Sequence, residues 1–296
     1  MTNNVPAPGA AGAASGRPAA VKNATLITVA PTGAEADKTA VPALPVTLDE
    51  LVTTAKECQA AGAAVVHVHI RDSQARPTLD ISRLTDTVAA LREGTDLIVQ
   101  LSTGGAVTDS FDDRLAVLGA APDGCSLTCG TVNFGDEVFH NPWPFISDLY
   151  TRTQELGVVP EFELFDFGHI ATLHRLLAGQ GLPHGGHVHC DLVMGVPGGM
   201  PGDAATLTQA VSALPAGATW SATGIGRTTL PVMFAALAAG GHLRVGMEDT
   251  LTFARGRPVT GNAELVERAA TLAGLAQRPH MPPAQARALL GVSGRR

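Results

Sequence analysis

A repeated alternation constrains this chain most. From Ala24 onward, short apolar segments rich in β-branched residues take turns with longer segments of helical periodicity. The strand-like stretches are residues 24–30, 63–70, 96–102, 125–130, 158–165, 186–193, 218–222 and 243–247. Helical patterns at 80–93, 110–119, 142–156, 168–179, 203–213 and 228–239 lie between them, and the best-marked one runs from Thr47 to Ala61. There Thr47 and Glu50 make a capping-box signature and Gly62 supplies the stop. A final pair of helices is expected near 261–275 and 282–290. Apolar runs alternating with helices read as βαβ units whose strands are buried on both faces. The expected fold class is α/β, a (β/α)8 TIM barrel with extra C-terminal helices; an open doubly wound sheet is the alternative.

The 296 residues suit one such barrel. A disordered leader is expected over 1–20 and a single barrel domain over 21–296. The leader is Ala-, Gly- and Pro-rich without a basic start or an apolar segment, so it does not read as a secretory signal. A net charge of −7 argues against nucleic acid as a partner. No apolar run is long enough to span a bilayer, so no membrane partner is expected. The four cysteines lack the spacing of a disulfide framework, which suggests a reducing, cytoplasmic compartment. Cys125 and Cys129 share one face of a strand and read as small buried hydrophobes.

In a parallel barrel the chemistry sits at the carboxyl ends of the strands. The chain's unusual residues fall there. His67 and His69 alternate onto one face of the second strand. Two imidazoles and a carboxylate form a facial set with open positions, the pattern of a catalytic Zn²⁺ or another divalent metal. Standing alone, a His-x-His reads equally well as a hydrogen-bonded core pair. His187 and His189 on the sixth strand repeat the spacing and rival the first pair as ligands or as their supports. Ser102-Thr103-Gly104-Gly105 offers hydroxyls and backbone N–H groups to a carboxylate. Glu161 and Glu163 share a face of the fifth strand. Glu248 and Asp249 follow the eighth, where one can bind metal and the other act as base, with Arg244 as its partner. Gly224-Ile225-Gly226-Arg227 opens toward a helix, a position that commonly holds phosphate, and Arg227 is a candidate charge partner for the phosphates of a cofactor such as coenzyme A.

Together these segments resemble the β-keto acid cleavage enzymes, typified by the 3-keto-5-aminohexanoate cleavage enzyme. The matching pieces are Thr32-Gly33-Ala34-Glu35, His67-Val68-His69-Ile70-Arg71, the Ser102–Gly105 turn and Cys129-Gly130-Thr131 with Asn133-Phe134. They continue with Glu161–Asp166, Gly224–Arg227 and Gly241–Asp249, all in the family's order. The resemblance implies a Zn²⁺-dependent barrel in which His67, His69 and Glu248 hold the metal. It implies that Ser102 and Gly105 seat the β-keto acid, that Glu35 and Thr131 line the site, and that Asp249 is the base with Arg244 beside it. It implies a reaction that converts a β-keto acid and acetyl-CoA into acetoacetate and a new acyl-CoA.

By family position Glu163 faces the substrate side chain. A carboxylate there favours a cationic or hydroxyl-bearing keto acid, unless His187 and His189 neutralise the pocket. A homo-oligomer is expected. Two other functions compete. A metal-dependent barrel hydrolase also uses His-x-His, though usually on the first strand and with two metals. A metal- or ligand-binding scaffold without turnover would have no need of the Asp249–Arg244 pair.

Overall fold

The computed structural model describes residues 23–293. The leader expected over 1–20 lies outside the described residues. Eight parallel strands close into a barrel: β1 (Ile27–Val29), β2 (Val65–Val68), β5 (Ile98–Leu101), β6 (Gly124–Thr128), β9 (Val159–Leu164), β10 (His189–Met194), β11 (Thr219–Gly224) and β12 (His242–Val245). Every strand-like stretch of the sequence overlaps one of them, with boundaries off by up to three residues. Closure runs through Thr28 opposite Arg244 on one side of β1 and Val66 opposite Val29 on the other.

The helices between the strands are α1 (Leu48–Ala61), α2 (Ile81–Gly94), α3 (Phe111–Ala116), α4 (Trp143–Leu156), α5 (Phe167–Gln180), α6 (Ala204–Ala213) and α7 (Thr229–Ala238). Helix α1 begins as expected: the Glu50 N–H donates to Thr47 Oγ1, and the Glu50 side chain accepts from the Thr47 N–H. Gly62 ends the helix at φ 117°. The two C-terminal helices do different jobs. Helix α8 (Asn262–Leu275) packs on β1 and α1 and completes the outer ring. Helix α9 (Pro283–Leu290) closes the bottom of the barrel. Its Leu289 and Leu290 bury against Leu26, Val65, Ile98, Val159 and Met281. Burial of each leucine contributes up to about 1.5–3 kcal/mol.

Above that apolar floor the barrel interior is polar. In-register partners in parallel strands share a face, and the inward face holds Thr28, Gln100, Ser126, Glu161, Asp191, Ser221 and Arg244, all buried. Barrel interiors are ordinarily filled by Val, Ile and Leu. Burying so many polar groups is costly, so their arrangement points to chemistry.

Three short hairpins were not anticipated. They are β3 with β4 (Ile70–Arg71 and Pro77–Thr78), β7 with β8 (Val132–Phe134 and Glu137–Phe139), and β13 with β14 (Thr252–Ala254 and Arg257–Pro258). They follow β2, β6 and β12, so all three build up the carboxyl face. Their strands are two or three residues long and carry Pro, Asn and Glu, which leaves no alternation to detect.

Candidate active site

The carboxyl ends of the strands surround a cavity of about 260 Å³. It is lined by Glu35, His67, His69, Ser102, Gly105, Glu163, Arg244, Glu248 and Asp249, among others. Seven strands and loops therefore bring most of the anticipated residues together. A wider groove of about 550 Å³ near the start of α1 meets the site at His69 and holds none of the other donors.

Two imidazoles and a carboxylate converge at its base. Glu248 Oε1 lies 3.8 Å from His67 Nε2 and 3.7 Å from His69 Nε2. Bonds of about 2.0–2.1 Å in tetrahedral geometry require donors about 3.3 Å apart, so small movements would let one ion meet all three. These residues are the one group of three such donors within 4.8 Å among the described residues. Three further observations fit a divalent cation. Glu248 Oε2 is buried without a hydrogen-bond partner. The Gln100 side-chain oxygen lies 2.6 Å from His67 Nδ1, which fixes that nitrogen as the donor and turns the Nε2 lone pair toward Glu248. Burial, with Arg244 adding to it, pushes His67 down to about 4, so the ring is neutral and able to ligate.

Charge points the same way. The carboxyl groups of Glu163, Asp191, Glu248 and Asp249 gather round the Arg244 guanidinium. Arg244 reaches Glu163 Oε1 and Asp249 Oδ1 at 3.1 Å each, and also binds Glu248. Burial opposes ionisation of Glu248, but Arg244 and the two histidines outweigh it and hold the carboxyl at about 2. Burial, reinforced by Glu248 and opposed by Arg244, pushes Asp249 up to about 7. Below the site, burial and the charge of Asp191 raise Glu161 to about 8. A cation at the His67–His69–Glu248 position would relieve this crowding of negative charge.

Two glycines make the cluster possible. Gly246 (φ 155°) brings the chain so close to β1 that a Cβ would lie 1.9 Å from Ala30 O. That approach lets the Glu248 N–H donate to Ala30 O at 3.1 Å, which fixes the Glu248 backbone. Gly33 (φ 64°) leaves the space that Glu248 Cγ occupies, 2.6 Å from where a Cβ would be. Arg71 pins the same loop, donating to Gly33 O at 2.7 Å and Ala36 O at 3.0 Å, and so places Glu35 at the exposed mouth of the cavity.

Ser102 faces the cluster across the cavity. Its hydroxyl oxygen accepts from the Gly104 N–H at 3.1 Å, which leaves the hydroxyl proton to donate inward. Arg114, buried behind the turn, donates to Thr103 O at 2.7 Å and to His140 O at 2.8 Å, tying the turn to the β7–β8 hairpin.

Three expectations change, and a fourth residue, Arg227, sits apart from the cavity. Thr131 is placed outside the cavity: its hydroxyl accepts from the Asn141 N–H at 2.9 Å and faces a separate groove shared with His169 and Asp166. Arg227 is exposed in a neighbouring groove with the glycine-rich stretch 195–203, and Val196 forms the wall common to both spaces. Glu163 lines the cavity, yet Thr128 donates to its Oε2 at 2.8 Å and Arg244 takes its Oε1. Its charge is spent on positioning Arg244. His187 and His189 sit at the opposite end of the sixth strand, sharing Thr219 Oγ1 at 2.7 and 2.8 Å. His189 also faces Glu161 at 3.4 Å, so the second His-x-His is a support of the barrel interior. Gln100 escaped notice in the sequence, since nothing but its register opposite His67 marks it.

A closed parallel barrel with acids, imidazoles and a guanidinium gathered at its carboxyl face defines a barrel protein built for chemistry on small polar molecules. A family model described as beta-keto acid cleavage enzyme matches residues 24–292, and the chain belongs to that family. A 3-keto-5-aminohexanoate cleavage enzyme of Acetoanaerobium sticklandii is 37% identical over 274 residues, covering 90% of this chain and 98% of the relative. A 3-oxoadipate:acetyl-CoA acetyltransferase of Cupriavidus necator is 34% identical over 271 residues, covering 90% and 94%. The fold also matches the apo structure of ObcA, with a TM-score of 0.77 at 21% identity, covering 85% of this chain and 66% of that one. Among the described residues no helix is long and apolar enough to cross a membrane.

Proposed function

We propose that this protein is a β-keto acid:acetyl-CoA C-acetyltransferase that turns a β-keto acid and acetyl-CoA into acetoacetate and a new acyl-CoA. The observation that carries the reading is the Asp249–Arg244 pair facing Ser102 across one cavity that also holds His67, His69 and Glu248. The relatives' names support the reaction class. The donor set favours Zn²⁺, with other divalent metals acceptable. When bound by His67, His69 and Glu248, the ion acts as a Lewis acid toward the keto oxygen.

The protein's residues supply the rest. Ser102 and the backbone at Gly105 seat the substrate carboxylate, and Glu35 guards the mouth. Asp249 removes the proton from the carbon between carboxylate and ketone. Arg244 holds the Asp249 carboxylate in place and is itself held by Glu163. Arg227, in the adjoining groove, meets the phosphates of coenzyme A, with the thioester entering past Val196. No nucleophilic side chain is needed, and the four cysteines are buried.

The presence of one three-donor group among the described residues supports this reaction over a two-metal barrel hydrolase. Buried free thiols support a reducing, cytoplasmic location. Phe234 and Leu275, 55% and 74% exposed, support a homo-oligomer.

Removing the Ser102 hydroxyl tests the seat. A charge-assisted hydrogen bond contributes about 1.5–3 kcal/mol, so Ser102→Ala should raise KM for the keto acid by about ten- to hundredfold. KM for acetyl-CoA should barely move. An unchanged keto-acid KM in steady-state assays would count against the seat.

A further inference from the structure

One wall of the cavity supplies no reacting or polar group to the chemistry described above. Phe134, Phe139 and Phe165 meet edge to face, with ring centroids 6.4 and 6.2 Å from Phe134. Val193, Val196 and Ile225 pack against the same cluster and line the same cavity. These residues come from β7, the end of β8, β10, and the loops after β9, β10 and β11. They form an apolar box beside the acids.

The charges near the box are held by partners or open to solvent. Glu163 is held by Thr128 and Arg244. Glu35 is exposed at the mouth. Arg114 lies behind Phe139, its guanidinium carbon 4.8 Å from the ring centroid. Its donors go to Thr103 O, His140 O and, at 2.5 Å, Asn141 Oδ1. Arg114 therefore takes up the π-face of Phe139 and opposes a second cation on that ring. An anionic side chain would find no donor among the six walls, since all are hydrocarbon.

From this box we propose that the keto acids this enzyme takes carry an uncharged, apolar side chain, aliphatic or aryl. The proposal rests on the reaction assigned above. Written out, R–CO–CH₂–COO⁻ and CH₃–CO–SCoA give R–CO–SCoA and CH₃–CO–CH₂–COO⁻. The bond between the ketone carbon and the CH₂ group breaks, a bond from that CH₂ to the acetyl carbonyl carbon forms, and the CoA thiolate passes to the R-acyl group. Seated by its carboxylate at Ser102, the substrate projects R into the box. The relatives named for 3-keto-5-aminohexanoate and 3-oxoadipate carry in those names a cationic and an anionic side chain. This box suits neither.

The test compares four keto acids at saturating acetyl-CoA, reading acetoacetate. They are 3-oxohexanoate, 3-keto-5-aminohexanoate and 3-oxoadipate, which share one chain length, and 3-dehydrocarnitine, which carries a quaternary ammonium. The expected kcat/KM for 3-oxohexanoate is at least about tenfold above each of the others, because an unpaired charge in the box is costly. A charged acid that equals or exceeds it overturns the proposal, and a preference for 3-dehydrocarnitine would make the box an aromatic cage for a cation. If none yields acetoacetate, the reaction assignment has failed. Calorimetric titration of the same four acids then tests the box by itself: tightest binding of 3-oxohexanoate upholds it, and any other ranking overturns it. In the folded variant Ile225→Glu, the ratio of the amino substrate to 3-oxohexanoate should rise at least about tenfold; an unmoved ratio contradicts the assignment.

Discussion

Replacing His67 or His69 by alanine is expected to remove bound metal and acetoacetate formation together. The three donors already face one another around Glu248 Oε1, at 3.8 and 3.7 Å. Loss of a partner that merely orients a metal ligand costs about 10–100-fold in affinity or activity, and loss of the ligand itself costs more. Elemental analysis after dialysis, alongside the assay, reads both effects. His187→Ala and His189→Ala serve as the contrast. They lie at the far end of the barrel and share Thr219 Oγ1, so both variants should keep their metal. Metal lost from those variants but retained by His67→Ala would reverse the assignment.

The second large effect is expected from Asp249→Asn. The amide nearly matches the carboxylate in shape and cannot serve as a base at neutral pH. Removing a general base typically costs about 10²–10⁴-fold, and the loss should fall on kcat. Arg244 keeps Glu163 and Glu248 as partners in this variant, so fold and metal should survive. Thermal unfolding and metal content verify that survival. Turnover within about twofold of the wild type would remove Asp249 from proton abstraction.

The barrel was legible because each strand is buried on both faces. Val65-Val66, Ile98-Val99 and Leu192-Val193 mark buried parallel strands once helices of matching length lie between them, and closure of the barrel rather than an open doubly wound sheet is seen in the strand pairing. The His67–His69 pair was legible for a related reason, since alternation puts both rings on one face. The periodicity that marks this pair marks His187–His189 equally well. Only the ends of the strands separate them: His69 follows β2 at its carboxyl end, whereas His189 begins β10. Strand boundaries are the least certain part of any reading from pattern.

Apart from the Asp249–Arg244 pair, partnerships were not legible. Glu163 looks like a selector of cations until Thr128, on the neighbouring strand, and Arg244, 81 residues on, are seen to hold both its oxygens. Gln100 supports His67 through strand register, which no local signal records. The apolar box depends on a hairpin with three-residue strands, and so its phenylalanines reach the cavity by a route invisible to hydrophobic periodicity. Thr131 shows the reverse case. It sits in a matching family segment, but the chain turns there into the hairpin and the hydroxyl is drawn to the Asn141 N–H.

The central claim is that the acetyl group of acetyl-CoA is joined to the CH₂–COO⁻ fragment of a β-keto acid. Carbon-13 in both acetyl carbons follows that transfer directly. With 3-oxohexanoate as co-substrate, NMR should find the label in the methyl and ketone carbons of acetoacetate, with the carboxylate and its neighbouring CH₂ unlabelled and the new butanoyl-CoA free of label. Unlabelled acetoacetate, or label carried into the new acyl-CoA, would contradict the account.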